Sequence, residues 1–539
     1  MSGQQGDLPH ADVLVVGAGP AGAIASQFLA QSGVKVVCLE QGDRTDPRDY
    51  PGDKVDSELL EQRAWHPDPD RRGREADYPI DVSESEFSPQ MFAAVGGSTI
   101  LYRGHWPRFL PSDFRVRTLD GVADDWPFTY EDLEPYYDLI DVEVGVAGLA
   151  GDTAYPPTTT PLPMPPHPFN VAARRVAAAH NRLGWHWWPG PNAIASRDYR
   201  NLKACVHYGT CISGCPNGSK SSFELTVWPE ALKYGARLVT GARVSEITTN
   251  AAGLATGALW IDRQGVRHRQ TADVVILAAN SIGNARLLFL SATSAFPHGL
   301  ANSSGLVGTR LMTHPFASVL GTFDEDFRSW EGPYGQSIQS MEFYETDTSR
   351  GFVRGAKWGL LPTNGPLVAA LAALAGRDPV MRLSDVRERI GHSAQWGILV
   401  EDLPHESNRV VLSDTVKDSD GIPAPKVIAR DDDVVKRNLA FQVERAKESL
   451  QAAGALKTYV GLGKPTRSHN IGTTKMGNDP TTSVVDQYCR SHDVPNLYIF
   501  GASVFPTAAA VNPTPTLCAV TLRAVEHLVG EGRLQPVPA

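Results

Sequence analysis

The segment GAGPAG places Gly17, Gly19 and Gly22 at GxGxxG spacing, with Pro20 and Ala21 between the second and third glycines. Before it runs DVLVV (12–16), an apolar stretch typical of a strand buried on both faces. After it, AIASQFLAQSG has helical periodicity and stops at Gly33, and a second apolar run, VKVVCLE, ends at Glu40. Each part has a physical task. Gly17 permits a tight turn, Gly19 lets backbone approach a pyrophosphate, and Gly22 lets the helix pack closely on the strand. The helix N-terminus offers unpaired N–H groups and a positive dipole end to phosphates. Glu40 ends the second strand, where its carboxylate can accept hydrogen bonds from ribose hydroxyls. Strand, turn, helix and acid together predict a dinucleotide site. The fingerprint alone does not separate FAD from NAD, but its place at the start of the chain suits a resident FAD.

Length and composition bound what surrounds this site. The chain has 539 residues, too many for one core, so two or more domains are expected. A formal net charge of -10 argues against a nucleic-acid partner, which needs a basic face. The longest helix-like apolar stretch, LVAALAALA (367–375), is about half of the ~20 residues that a membrane crossing needs, so no membrane span is expected. The opening MSGQQGDLPHA has neither a basic start nor an apolar stretch, and six cysteines do not suggest a disulfide framework. A cytoplasmic location is the expectation.

Three further segments narrow the reading. MFAAVGGSTILYRGHWPR (91–108) has a glycine pair followed by small hydroxyl residues. RSHNIGTTKMG (467–477) sets a histidine before a glycine-threonine turn, and VPNLYIFGASVFPTAAAVNPTPTL (494–517) joins a buried strand to a proline-broken loop and a new helix. With the N-terminal fingerprint, this resembles the glucose-methanol-choline (GMC) oxidoreductase family over nearly the whole chain. Support is least between about 320 and 395. The C-terminal block looks closest to the branch holding gluconate and fructose dehydrogenases and pyranose oxidases.

The resemblance implies an α/β fold. A doubly wound, Rossmann-like FAD domain would be assembled from 8–45, 87–105, 200–312 and 468–536. A second, α+β substrate domain on an antiparallel sheet would use 106–199 and 313–467, with 46–86 as a linker or lid. The residues agree in part. RLVTGARVSEITT (237–249) alternates like strands, and DVVILAA (273–279) is another buried run, closed by Ala279, which we count among the cofactor contacts. The resemblance also implies that Val244 meets adenine through its backbone. Gly96, Gly97 and Ser98 would press on the isoalloxazine, Gly501 and Ala502 on the pyrophosphate, and Pro513 and Thr514 on the flavin at the start of a helix. Pro515 removes one N–H donor from that helix's first turn. Some relatives attach FAD through a histidine four residues after the glycine pair. Here that position is Leu101, so the FAD is expected to be non-covalent. His105 and Cys38 are poor substitutes on spacing, and His105 reads as a loop histidine. Trp106 and Arg108 suit either the flavin edge or packing.

The chemistry implied is oxidation of an alcohol to a carbonyl, with hydride transfer to flavin N5. Histidine, with a reference pKa of about 6.5, is a usable neutral base near pH 7. One histidine of fifteen is not a site by itself, and it is the motif that singles out His469 as the base. Asn512 matches a family position held by histidine or asparagine, and its amide can orient the substrate oxygen. A helix-cap role for Asn512 is also open. The substrate is expected to be a sugar, glycoside or polyol, with a benzylic or other alcohol as the alternative. Another FAD enzyme class, such as a monooxygenase, is the runner-up. An electron acceptor, oxygen or another, is required. Trp358, Phe343, Tyr344 and Trp396 are aromatic candidates for the pocket, each read first as core. Cys205, Cys211 and Cys215 form a cluster in ACVHYGTCISGCPNGSK. It suits an iron–sulfur cluster, as in some dehydrogenases of the branch, or zinc with His207. Reduced structural thiols are the preferred reading, with no metal.

Overall fold

The computed structural model describes residues 9–158, 160–333, 335–363, 365, 390–462 and 466–530. The apolar stretch 367–375 lies outside the described residues. Two sheets and two hydrophobic cores organise the molecule. In the first sheet the parallel strands run Arg237–Val239, Val36–Leu39, Ala11–Val16, Arg267–Leu277 and Leu497–Ile499. Ala11–Val16 is buried at every position but Asp12, as a strand covered on both faces would be.

The strand Arg267–Leu277 pairs in two ways within this seven-stranded sheet. Its second half pairs in parallel with Ala11–Val16 and Leu497–Ile499, while its first half pairs antiparallel with Ala255–Ile261, which in turn pairs with Arg243–Thr249. The run read from the sequence as 273–279 is therefore the end of a longer strand. The polar-alternating RHRQT (267–271) is its solvent-facing continuation.

The second sheet is antiparallel throughout. Its order is Lys457–Leu462, Phe316–Thr322, Ser393–Val400, Ala356–Leu361, Ile338–Ser340 and Trp188–Pro189. The helix Asp433–Ala452 crosses it and also packs on Val171–Leu183. Val435, Val443 and Leu450 of that helix are buried with Trp358 and Trp396 in a core separate from that of the first sheet. Each such side chain contributes about 1.5–3 kcal/mol on full burial, enough to hold the sheet as its own unit. Trp358 and Trp396 are thus core residues with Phe343 packed on the same core, and Tyr344 is buried in the core of the first sheet.

The segment expected as a linker or lid, 46–86, holds the short helices Ser57–Glu61 and Pro69–Arg72. Its strand Asp81–Ser85 pairs in parallel with Pro423–Ala429. The helix Tyr130–Val144, from a segment expected in the substrate domain, packs on the C-terminal helix Thr514–Val529, within the core of the first sheet. Trp106 donates to Asp141, and Arg108 pairs with Asp138 and Asp141, so both serve packing here. Among the described residues no helix is long and apolar enough to cross a membrane.

Candidate active site

The glycine-rich turn has the tight contacts that its spacing predicts. Gly17 has φ 102°, a left-handed value, and a Cβ on Gly22 would lie 1.9 Å from the Gly17 carbonyl oxygen. The helix Pro20–Gln31 begins there with proline in its first turn, no side-chain cap and no acidic residue. Its first N–H groups and dipole are left for an anion. A second turn rests on the first: Gly96 N–H donates to the Ala18 carbonyl at 2.9 Å, and a Cβ on Gly97 would stand 2.9 Å from Gly19 Cα. Ser98 follows in the same short turn, Gly97–Ile100. Glu40 is buried at the end of its strand, accepting from Ala18 N–H and Gly42 N–H at 2.8 Å each. Burial pushes its pKa up to about 6, so it stays ionised at neutral pH, and each oxygen keeps a lone pair for a further donor. Two side-chain-free turns, an uncapped helix and an anchored carboxylate fit a dinucleotide such as FAD.

His469 lies on a segment tied from both sides. Ile471 and Met312 exchange backbone hydrogen bonds of 2.9 Å, and Gly472, Thr474 and Met476 donate to the carbonyls of Ala502, Ser503 and Val504 at 3.0, 2.9 and 2.8 Å. These bonds hold His469 at φ 64°, a backbone state costing about 1–3 kcal/mol. Asn512 ends the loop that precedes Thr514–Val529. Ala510 N–H in that loop donates to the Tyr344 hydroxyl at 3.0 Å, and Tyr344 is anchored on Asp113. The two predicted residues meet: Asn512 Nδ2 lies 3.4 Å from His469 Nε2.

The partners assign the protons. His314 Nε2 is 2.7 Å from the Ala509 carbonyl, which only accepts, so Nε2 carries the hydrogen. Burial lowers the His314 pKa to about 4, so its ring is neutral and its Nδ1 is a lone pair. His469 Nδ1, 2.8 Å away, must then be the donor, which leaves His469 Nε2 as a lone pair facing Asn512. At its other end, the Asn512 amide oxygen accepts from Lys357 Nζ at 3.1 Å, which fixes NH₂ as the group turned to His469. Burial, first of all, and then His314 and Lys357 hold the His469 pKa well below its usual value. The residue as a whole is half-buried.

Sequence reasoning missed His314 and Lys357. His105, read as a loop histidine, is instead buried with Nδ1 3.3 Å from Lys357 Nζ, and its pKa is lowered well below the usual value by burial and then by Lys357. A usable signal existed for Lys357: it is the one charged residue in the apolar strand AKWGLL (356–361). The helix-cap reading of Asn512 is corrected, because Pro513 occupies the cap and no side chain caps that helix. The amide is engaged by His469 and Lys357 instead.

GMC oxidoreductase family models match residues 93–316 and 404–521, and an FAD binding domain model matches 10–58. A 2-methyl-1,2-propanediol dehydrogenase of Mycolicibacterium austroafricanum is 40% identical over 530 residues, covering 96% of this chain and 95% of that one. The chain belongs to the GMC oxidoreductase family. A fructose dehydrogenase large subunit of Gluconobacter japonicus is 28% identical over 97% of this chain and 98% of its own length. Pyridoxine 4-oxidase from Mesorbium loti shares the fold, with a TM-score of 0.63 and 17% identity over 96% of this chain and 99% of that one. As a GMC enzyme the chain is an FAD-dependent oxidoreductase, which sets aside the monooxygenase runner-up.

The remaining predicted contacts of this GMC chain occupy definite places. Val244 lies near the start of Arg243–Thr249, and Ala279 follows the strand Arg267–Leu277 and caps the helix Asn280–Leu290. Gly501 has φ 99° and lies 3.7 Å from the Ala21 methyl when given a Cβ, beside the first helix; Ala502 follows it. Pro513 and Thr514 open the C-terminal helix. The three clustered cysteines are free thiols. Cys205 accepts from His207 N–H and Cys215 from Ser219 N–H. Among the described residues, no three His, Cys, Asp or Glu side chains are grouped as metal ligands would be.

Proposed function

We propose that this GMC oxidoreductase oxidises a CH–OH group with His469 as proton acceptor and Asn512 as its partner, on a non-covalently held FAD. The observation that carries the reading is the 3.4 Å approach of Asn512 Nδ2 to His469 Nε2, with that nitrogen left as a lone pair by the chain of partners behind it. When bound, FAD supplies the hydride acceptor at N5. His469 Nε2 takes the hydroxyl proton, and Asn512 NH₂ donates to the same oxygen and aims the C–H bond. The first turn of Thr514–Val529 has no acidic residue and no side-chain cap. Its Thr514 and Thr516 N–H groups are the donors left to steady negative charge on the ring edge, since Pro513 and Pro515 have none.

We assign the cofactor cradle to Gly17, Gly19, Pro20, Ala21, Gly22, Glu40, Gly96, Gly97, Ser98, Val244, Ala279, Gly501, Ala502, Pro513 and Thr514. The parts 8–45, 87–105, 200–312 and 468–536 carry them. Leu101 at the linkage position supports a dissociable cofactor. The names of the diol and fructose dehydrogenases support a polyol or sugar as substrate. Six free thiols suit a reducing compartment and support a cytoplasmic setting.

Anaerobic mixing of the holoenzyme with diols, polyols, sugars and benzyl alcohol tests the reading. Bleaching of the flavin by a diol, polyol or sugar is expected, and admission of air then distinguishes oxygen from another acceptor. Bleaching by none of these alcohols contradicts it. Acid precipitation should leave a yellow supernatant, and yellow precipitate would refute non-covalent attachment.

A further inference from the structure

Lys357 is a buried lysine in the middle of the antiparallel sheet. It is 1% exposed, and among the described residues no carboxylate pairs with it. A lysine left so is costly, and such groups are kept where they act on something. Among the described residues its polar contacts are two, both at the site: Asn512 Oδ1 at 3.1 Å and His105 Nδ1 at 3.3 Å. An ammonium only donates, so in the protonated form of Lys357 His105 Nδ1 accepts and the Asn512 carbonyl oxygen is held away from His469. An asparagine amide turned by 180° would fill the same space but point its carbonyl oxygen at His469 Nε2. That arrangement demands a hydrogen on the nitrogen that has to be bare.

We infer that Lys357 is the positioning residue of this site: it sets the polarity of the Asn512 amide and so keeps His469 Nε2 free to receive the substrate's proton. The inference rests on the alcohol-oxidation reading for its consequence, but not for its geometry. A second effect has the same direction. The titratable groups facing His469 are His314, Lys357 and His105, with Arg103 beyond His105. None is a carboxylate, so any positive charge on Lys357 disfavours the imidazolium. Burial alone lowers the Lys357 pKa to about 7, so it is partly protonated at neutral pH and remains a donor in either state.

Two substitutions separate this from mere packing. Lys357→Met keeps the volume and removes the donor; Lys357→Gln keeps an NH₂ donor group without charge. With ¹⁵N-histidine labelling, NMR of the wild-type protein should report His469 as the neutral Nδ1–H tautomer well into the acid range. In Lys357→Met its pKa should rise by about one unit and the tautomers should mix, while Lys357→Gln should keep the tautomer. Unchanged His469 signals in both variants would overturn the inference, whatever the substrate is. With an alcohol that bleaches the wild-type flavin, Lys357→Met and Asn512→Ala should each slow reduction by about 10²-fold. The double variant should match Asn512→Ala within about twofold, because the lysine acts through the amide. Losses that multiply in the double variant, or Lys357→Gln no better than Lys357→Met, would also overturn it. Failure of every alcohol to bleach the wild type would refute the function proposed above, and the NMR result would still decide the role of Lys357.

Discussion

At the scale of single residues, the proposed role of His469 as a base rests on its neighbours and not on its own type. His314 accepts its Nδ1 hydrogen, and the Ala509 carbonyl holds His314 in the tautomer that can do so. Replacing His314 by Ala removes that acceptor and frees the imidazole to carry its hydrogen on Nε2. Flavin reduction should slow by about 10–10²-fold with FAD content unchanged, measured by anaerobic stopped flow. The pH dependence has a definite sign. Burial, His314 and Lys357 all disfavour the imidazolium, so its pKa lies below 6.5. Since kcat/KM reports the ionisations of the free enzyme, it should stay level as pH falls past 6.5 and drop only at more acidic values. A fall centred at or above 6.5 would contradict the assignment.

At the scale of elements, the site depends on two turns lying against each other. Gly97→Ala puts a methyl 2.9 Å from Gly19 Cα at a residue with φ 56°. The turns must then separate, and the ratio of flavin to protein absorbance should fall by about tenfold or more. Lys220, fully buried, braces the second turn by donating to the carbonyls of Ile100, Tyr102 and Cys211. Lys220→Met strands those carbonyls at about 1–3 kcal/mol each, and should lower the melting temperature of the holoenzyme by several degrees.

These elements also mark how far the sequence could be read. The first strand, turn, helix and Glu40 are contiguous, so their spacing alone revealed their geometry. His469 and Asn512 were legible through their motifs. His314, Lys357 and His105 were not, because they reach the site from separate elements and local periodicity carries no record of such meetings. The double role of Arg267–Leu277 was hidden for the same reason: where a strand changes partners is decided by its neighbours.

At the scale of the molecule, the site joins two cores. The cradle, His469 and Asn512 belong with the parallel sheet, whereas Lys357 comes from the antiparallel one. Tyr344, which follows the strand Ile338–Ser340 of the antiparallel sheet, holds Ala510 N–H within the core of the parallel one. On the proposed reading, an FAD held without a covalent link stabilises the folded state by mass action, by about 2.7 kcal/mol at a hundredfold excess over Kd. Apoprotein should melt at a lower temperature than holoenzyme and recover as FAD is added, whereas a melting temperature indifferent to FAD would contradict this.

The most direct test of the account is the rate of anaerobic flavin reduction in His469→Ala, under a saturating alcohol that reduces the wild type. The account predicts a loss of about 10²–10⁴-fold with FAD bound at the wild-type ratio. Reduction at the wild-type rate would contradict it.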